Sequence, residues 1–141
     1  MNAVDLITQL IQRLGWETPP QDEQGRSILS FDGDLHVALY PENRHRLLAE
    51  GFLFALPEER SQAEALAAKV LQMNLAGMRR RRQAIAVDEH TNQLILFRRF
   101  DSQAVSLEKF ETALADFIDD MELFRGLNKA ATGPSLLTAG F

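Results

Sequence analysis

The spacing of apolar residues changes several times along the chain, and each change marks an element. Val4, Leu6, Ile7, Leu10, Ile11 and Leu14 recur at helical spacing, with Asn2 placed to cap the first turn and Gly15 to end it. Trp16 to Gln24 is a connector broken by Pro19-Pro20. Arg26–Phe31 and Leu35–Tyr40 then flank Asp32-Gly33-Asp34, which is a hairpin signal. A two-residue loop pairs Ser30 with Leu35 and Ile28 with Val37, mixing polar and apolar residues on both faces. A three-residue loop pairs Phe31 with Leu35 and Leu29 with Val37, and gathers the largest apolar side chains on one face. One residue of slip exchanges the faces, so the pattern predicts the three-residue loop.

Arg46–Phe54 reads as a third strand, bounded by Pro41-Glu42-Asn43 and Pro57. A helix over about 57–77 follows, with Pro57 in its first position and Glu58 and Glu59 beside its N-terminus. Leu66, Ala67, Val70, Leu71, Asn74 and Leu75 form its apolar stripe. Asn74 interrupts that stripe, and a buried amide needs a hydrogen-bond partner, most simply backbone near the following turn. The alanines at 63, 65, 67, 68 and 76 have two readings: close packing on more than one side, or plain helix propensity. After Arg79–Arg82 the period becomes that of strands, Gln83–Val87 and Leu94–Phe100 around the polar turn 88–93. A last helix starts at the cap residue Ser106, carries Leu107, Phe110, Leu114, Phe117, Ile118, Met121 and Phe124 on one stripe, and is expected to stop at Gly126. The order α-β-β-β-α-β-β-α predicts an α+β fold, a twisted antiparallel sheet with helices packed on it, as a single domain over 1–126 followed by a flexible tail, 127–141.

Charge narrows the partners. The net charge of -5 argues against a general nucleic-acid binder, which needs a positive field. Acidity serves solubility, and it equally suits a carrier of apolar segments. With no cysteine there is no disulfide framework and no thiolate chemistry. No apolar run reaches the ~18 residues of a membrane span, and the first residues lack a basic signal-peptide start, so a cytoplasmic protein without membrane insertion is expected.

Candidate chemistry is sparse. His36, His45 and His90 lack zinc-type spacing. Asp32-Gly33-Asp34 begins like a calcium loop, but Val37 stands where the turn glycine belongs and Asn43 where the bidentate glutamate belongs. Asp119, Asp120 and Glu122 lie opposite the apolar stripe and read as a solvated face. Neither Gly-x-Ser-x-Gly nor a phosphate-cradling glycine loop occurs. No enzyme, metal or cofactor is expected. Arg79–Arg82, with Arg98 and Arg99, is the strongly basic feature; it fits grip on phosphate or an acidic protein surface, and equally fits complementing a helix C-terminus.

The succession Val70-Leu71-Gln72-Met73-Asn74-Leu75, Ala84-Ile85-Ala86-Val87-Asp88-Glu89, Leu94-Ile95-Leu96 and Leu107-Glu108-Lys109-Phe110-Glu111 resembles class I type III secretion chaperones of the Tir-chaperone type. The resemblance spans roughly residues 3–125, and it implies the same element order. It implies a homodimer built on the second helix and the next strand, here Leu66, Val70, Leu71, Ala84, Ile85, Ala86 and Val87. It also implies that the N-terminal segment of a secreted effector protein wraps the dimer in extended form; with no phosphate-cradling loop in the chain, such binding is expected to run without ATP. Apolar surface for that is expected from Val4, Ile7, Ile11, Ile28, Leu29, Leu35, Val37 and Leu39, each of which is equally readable as core. The arginine run departs from the family, which has small or uncharged residues near that junction. Two other readings stand beside this one: a regulator sequestering a transcription factor or export component, and a small-ligand-binding α+β domain.

Overall fold

The computed structural model of the chain describes residues 1–16, 21, 23, 25–31 and 34–132, the side chains of Arg81 and residues 129–132 apart. Eight elements follow the expected order: α1 (Ala3–Arg13), β1 (Ser27–Phe31), β2 (Leu35–Pro41), β3 (Arg46–Ala55), α2 (Arg60–Arg81), β4 (Gln83–Asp88), β5 (Gln93–Asp101) and α3 (Leu107–Thr132). The strands form one antiparallel sheet in the order β1-β2-β3-β5-β4. α2 is therefore a crossover that carries the chain past the place β5 later fills, and it leaves β1 and β4 as the sheet edges.

The hairpin register is the one the apolar pattern selects: Phe31 opposes Leu35 and Leu29 opposes Val37. The turn residues 32 and 33, and the connector residues 17–20, lie outside the described residues. α1 begins as its sequence predicts, with Asn2 Oδ1 accepting the Asp5 amide at 2.8 Å, and it ends before Gly15 at φ +72.

All three helices lie on one face of the sheet. Leu29, Val37, Leu39, Leu47, Ala49, Leu94 and Leu96 project to that face and join Leu6, Leu10, Leu66, Val70, Phe110, Phe117 and Met121 in one core cluster. The closest approach is at Gly51, where an added Cβ would stand 2.5 Å from Met121 Sδ. A side chain there would have to push the Met121 thioether aside. A register shift between Phe52 and Phe54 marks a bulge in the same strand, so that Phe54, opposite Leu94, packs against the core beside Leu53.

Three helix boundaries differ from expectation. α2 starts at Arg60 because the Glu59 carboxylate caps it, accepting the amides of Ser61 and Gln62, while Pro57 precedes the helix. It then continues to Arg81 and ends on Arg82 in the left-handed region, φ 52. The turn near Asn74 is thus absent. Asn74 is buried, but its Oδ1 has no hydrogen-bond partner among the described residues. Gly126 does not stop the last helix. α3 runs on to Thr132, because exposed Gly126 costs a helix only about 1 kcal/mol relative to alanine. Of the expected tail, residues 127–132 are helical and 133–141 lie outside the described residues.

Candidate functional site

Alternate residues of the same strands point away from the helices. Ile28, Ala38, Leu48, Phe52, Ile95, Phe97, Ala84 and Ala86 occupy this second face, which no described helix covers. Ala38 and Leu48 are buried by their neighbours; Ile28, Phe52, Ile95, Phe97 and Ala84 are half-buried and Ala86 is exposed. These residues form an apolar surface across five strands. Ion pairs interrupt it, one of them at Glu50 on the central strand, which stands between Ala38 and Phe97. Arg26 Nη1 pairs with Glu50 Oε2 at 3.0 Å, and Arg99 Nε donates to both Glu42 carboxylate oxygens at 2.9 Å. Tyr40 lies between these pairs, and its phenol is raised above its ordinary value by burial first and by Glu50 and Glu42 second.

One end of this face is lined by arginine. Arg46, Arg82 and Arg99 surround a pocket of about 390 Å³ with Phe97, Phe100 and Asp101. The left-handed cap at Arg82 turns that side chain's residue out of the helix line and towards the sheet corner. The arginine run therefore divides. Arg82 joins Arg46 and Arg99 here, whereas Arg80 joins Arg98 beside the acids Glu108 and Asp116 on α3. Arg98 itself lies over the Phe100 ring, 4.8 Å from its centroid.

The expected client-contacting residues fall mostly inside the molecule. Ile7, Ile11, Leu29, Leu35, Val37 and Leu39 are 6% exposed or less and belong to the core cluster. They meet the helices because the largest apolar residues of each strand alternate onto the covered face. Val4 is exposed and Ile28 is half-buried on the open face. Phe52, Ile95 and Phe97 escaped the sequence reading. The available signal was that β3 and β5 are apolar at consecutive positions rather than alternate ones, as a strand with two apolar faces must be.

The residues expected at a subunit contact divide similarly. Leu66 and Val70 are buried beneath α2, while Leu71 is exposed, and Leu75 and Met78 continue its line at helical spacing. Ile85 and Ala84 are half-buried; Ala86 and Val87 are exposed on the edge strand β4. Small Ala68 lies on the same outer line of α2. An apolar helix flank thus stands near an unpaired strand edge. Asp120, expected in solvent, instead accepts from Gln83 Nε2 at 2.8 Å where α3 meets the start of β4.

Among the described residues no helix is long and apolar enough to cross a membrane, and no group of three or more metal-ligating side chains forms.

Known proteins give this geometry a context. The chain is similar to a chain of the ExsC-ExsE complex, with 26% identity, TM-score 0.66, and coverage of 87% of this chain and 90% of that one. It is similar in fold to a chain of the complex between the Yersinia pestis type III secretion chaperone SycH and a fragment of YscM2, with 18% identity, TM-score 0.58, and coverage of 85% and 97%. A chain of the heterodimeric ExoU-SpcU complex from the Pseudomonas aeruginosa type III secretion system gives 12% identity, TM-score 0.63, and coverage of 86% and 96%. No curated protein sequence matches the chain. The model of the Tir chaperone protein (CesT) family matches residues 5–125, and the chain belongs to that family.

Proposed function

We propose that this protein is an ATP-independent chaperone of the bacterial cytoplasm that binds the N-terminal segment of a type III secreted effector and keeps it soluble and competent for secretion. The observation that carries the reading is the apolar open face of the sheet, flanked by edge strands β1 and β4. An extended client segment has there both apolar surface to bury and backbone groups to pair with. Family membership and solved complexes of similar chains support it. The family's role is binding rather than catalysis, so the chain's work is done by surface and not by a reacting group.

The working unit in this proposal is a homodimer. Leu71, Leu75 and Met78, with Val87 of β4, offer the exposed apolar surface for a second copy, and Leu66 and Val70 hold that helix from below. Client binding uses the open face, with Phe52, Ile95 and Phe97 at its centre and Ile28 towards the β1 edge. Ordering a disordered client costs several kcal/mol, so a long interface and a strongly negative heat-capacity change are expected.

Recovery of the tagged protein from its own cells, with mass spectrometry of what accompanies it, tests the reading. One secreted protein is expected, retained without nucleotide, with its N-terminal segment protected from protease. Recovery without any secreted protein, or release of the client only on ATP hydrolysis, overturns it.

A further inference from the structure

The apolar rows of the open face end on a basic corner. Arg99 and Arg82 stand two residues from the cross-strand pair Phe97 and Ala84, and Arg46 opposes Asp101 just beyond them. Arg46, Arg82 and Arg99 line the recess of about 390 Å³ there, with Phe97 also in its wall. Its charges are only partly met. Glu42 takes Arg99 through Nε alone. Asp101 opposes Arg46 in register, yet its Oδ1 turns back to accept the Gln103 amide at 2.9 Å. Arg46 and Arg82 are exposed, and neither makes an ion pair among the described residues. With Glu42 balancing Arg99, and Asp101 set against one of the other two, a single positive charge is left in excess.

We propose that this corner binds the carboxylate of an aspartate or glutamate in the bound polypeptide, and so fixes the register in which an extended segment lies on the open face. Guanidinium groups meet a carboxylate fork to fork, and those of Arg46 and Arg82 are unused. One excess charge suits a carboxylate, whereas a phosphate ester would bring roughly two negative charges towards Glu42 and Asp101. Nucleic acid is disfavoured further by the net charge of -5. Phe97 joins the recess to the apolar rows, so the occupant carries apolar groups beside its acid, as a polypeptide does and a free anion does not. Spacing then sets the pattern. Two strand residues span about 6.6 Å, and the rows run from the arginines to Phe97 with Ala84 and then to Ile95 with Ala86. A segment lying along β5 therefore presents an acid to the corner and apolar side chains at the second and fourth positions from it. The inference rests on the chaperone reading and deepens it by naming what a bound segment must carry; its test uses no client, so the two can fail separately.

The full-length protein, labelled with nitrogen-15, is titrated with the blocked peptide acetyl-Asp-Ser-Phe-Ser-Ile-amide and with its reverse, which together cover both chain directions. The same peptides with Asn for Asp, and inorganic phosphate, are the comparisons. One acidic peptide should shift the Nε–H signals of Arg46, Arg82 and Arg99 together with the backbone amides of Phe97 and Ile95. It should bind about tenfold more tightly than its Asn twin, the worth of a charge-assisted hydrogen bond. The preference should fall away in about 1 M salt, where screening acts within ~3 Å. Arg46→Gln and Arg82→Gln should each make acid and amide equal, with circular dichroism unchanged. Arg80→Gln removes the same charge outside the recess and should keep the preference. An equal loss with Arg80→Gln, or no shift at the solubility limit of the peptides, overturns the inference. So does phosphate that displaces the acidic peptide at lower concentration, which would make the corner a phosphate site. Shifts at Phe97 and Ile95 with no preference for the acid would also overturn it, while leaving the open face as the client surface.

Discussion

The two faces of the sheet are built from the same strands, yet they have opposite fates. On β2 and β3, Val37 faces Gly51 beneath the helices, while the next pair, Ala38 and Glu50, faces outward. The covered face is nearly all aliphatic and buried; the open face mixes aromatic rings with ion pairs, one of them on the central strand. Burial on the first is spent on holding the fold together, whereas apolar area on the second stays available to a partner. α2 repeats the contrast in one helix, with Leu66 and Val70 buried and Leu71 and Leu75 exposed. Hydrophobicity alone does not assign function in such a molecule. The side of the element does.

The contrast breaks most visibly under charge. Val37→Asp puts an unpaired carboxylate in the core at a cost of several kcal/mol, and its thermal melt should show no cooperative transition. A folded Val37→Asp protein would mean that the covered face is not the core. Leu71→Asp, on the outer flank of α2, should keep native circular dichroism but reduce the light-scattering mass from about twice 15.9 kDa to one chain. A dimeric Leu71→Asp protein would remove that flank from the subunit contact.

Neighbouring residues of β3 sharpen the comparison. Gly51→Ala drives a methyl against Met121 and should destabilise by about 1–3 kcal/mol in urea unfolding. Phe97→Ser, on the open face, should cost only about 1 kcal/mol because its ring is already half in water, yet it should sharply reduce recovery of the client. A Phe97→Ser protein that loses more stability than Gly51→Ala, or that recovers its client as wild type does, would erase the distinction between faces. The smallest effect concerns the α2 cap. The Glu59 carboxylate is held below its ordinary value by the Ser61 hydroxyl first and by the Gln62 and Ser61 amides next. Its contribution is complete above the ordinary carboxylate value and is lost as pH falls through the lowered one. Glu59→Gln should therefore be slightly less stable than wild type at neutral pH, with the difference vanishing in acid denaturation series.

Much of the fold was legible, for reasons specific to residues. The register of β1 and β2 could be read because Leu29, Phe31, Leu35 and Val37 share a face only in one pairing. The start of α2 could not, because Pro57 is a good first helical residue and Glu59 is not a favoured cap; Ser61 hydrogen-bonded back to Glu59 decided it. The surfaces were harder. Val37 and Phe97 are both apolar strand residues, and what separates them is which side the helices cover, a property of packing at long range. The Gln83–Asp120 contact was hidden for a related reason: it joins the start of β4 to α3, and nothing local to Gln83 announces Asp120.

The strand order β1-β2-β3-β5-β4 also governs how quickly the molecule can form. β1 with β2, β2 with β3 and β4 with β5 are neighbours in sequence, and such hairpins close in about 1–10 μs. β3 with β5 is different. It joins Ala55 to Gln93 and Arg46 to Asp101 across a loop that contains all of α2 and β4. The entropy of closing that loop must be met before the pairing returns anything, so this seam sets the rate. Until it closes, the inner edge of β3 lies open to any passing strand. A protein whose surfaces await an unfolded chain is itself, while nascent, a chain with an unpaired strand at its centre.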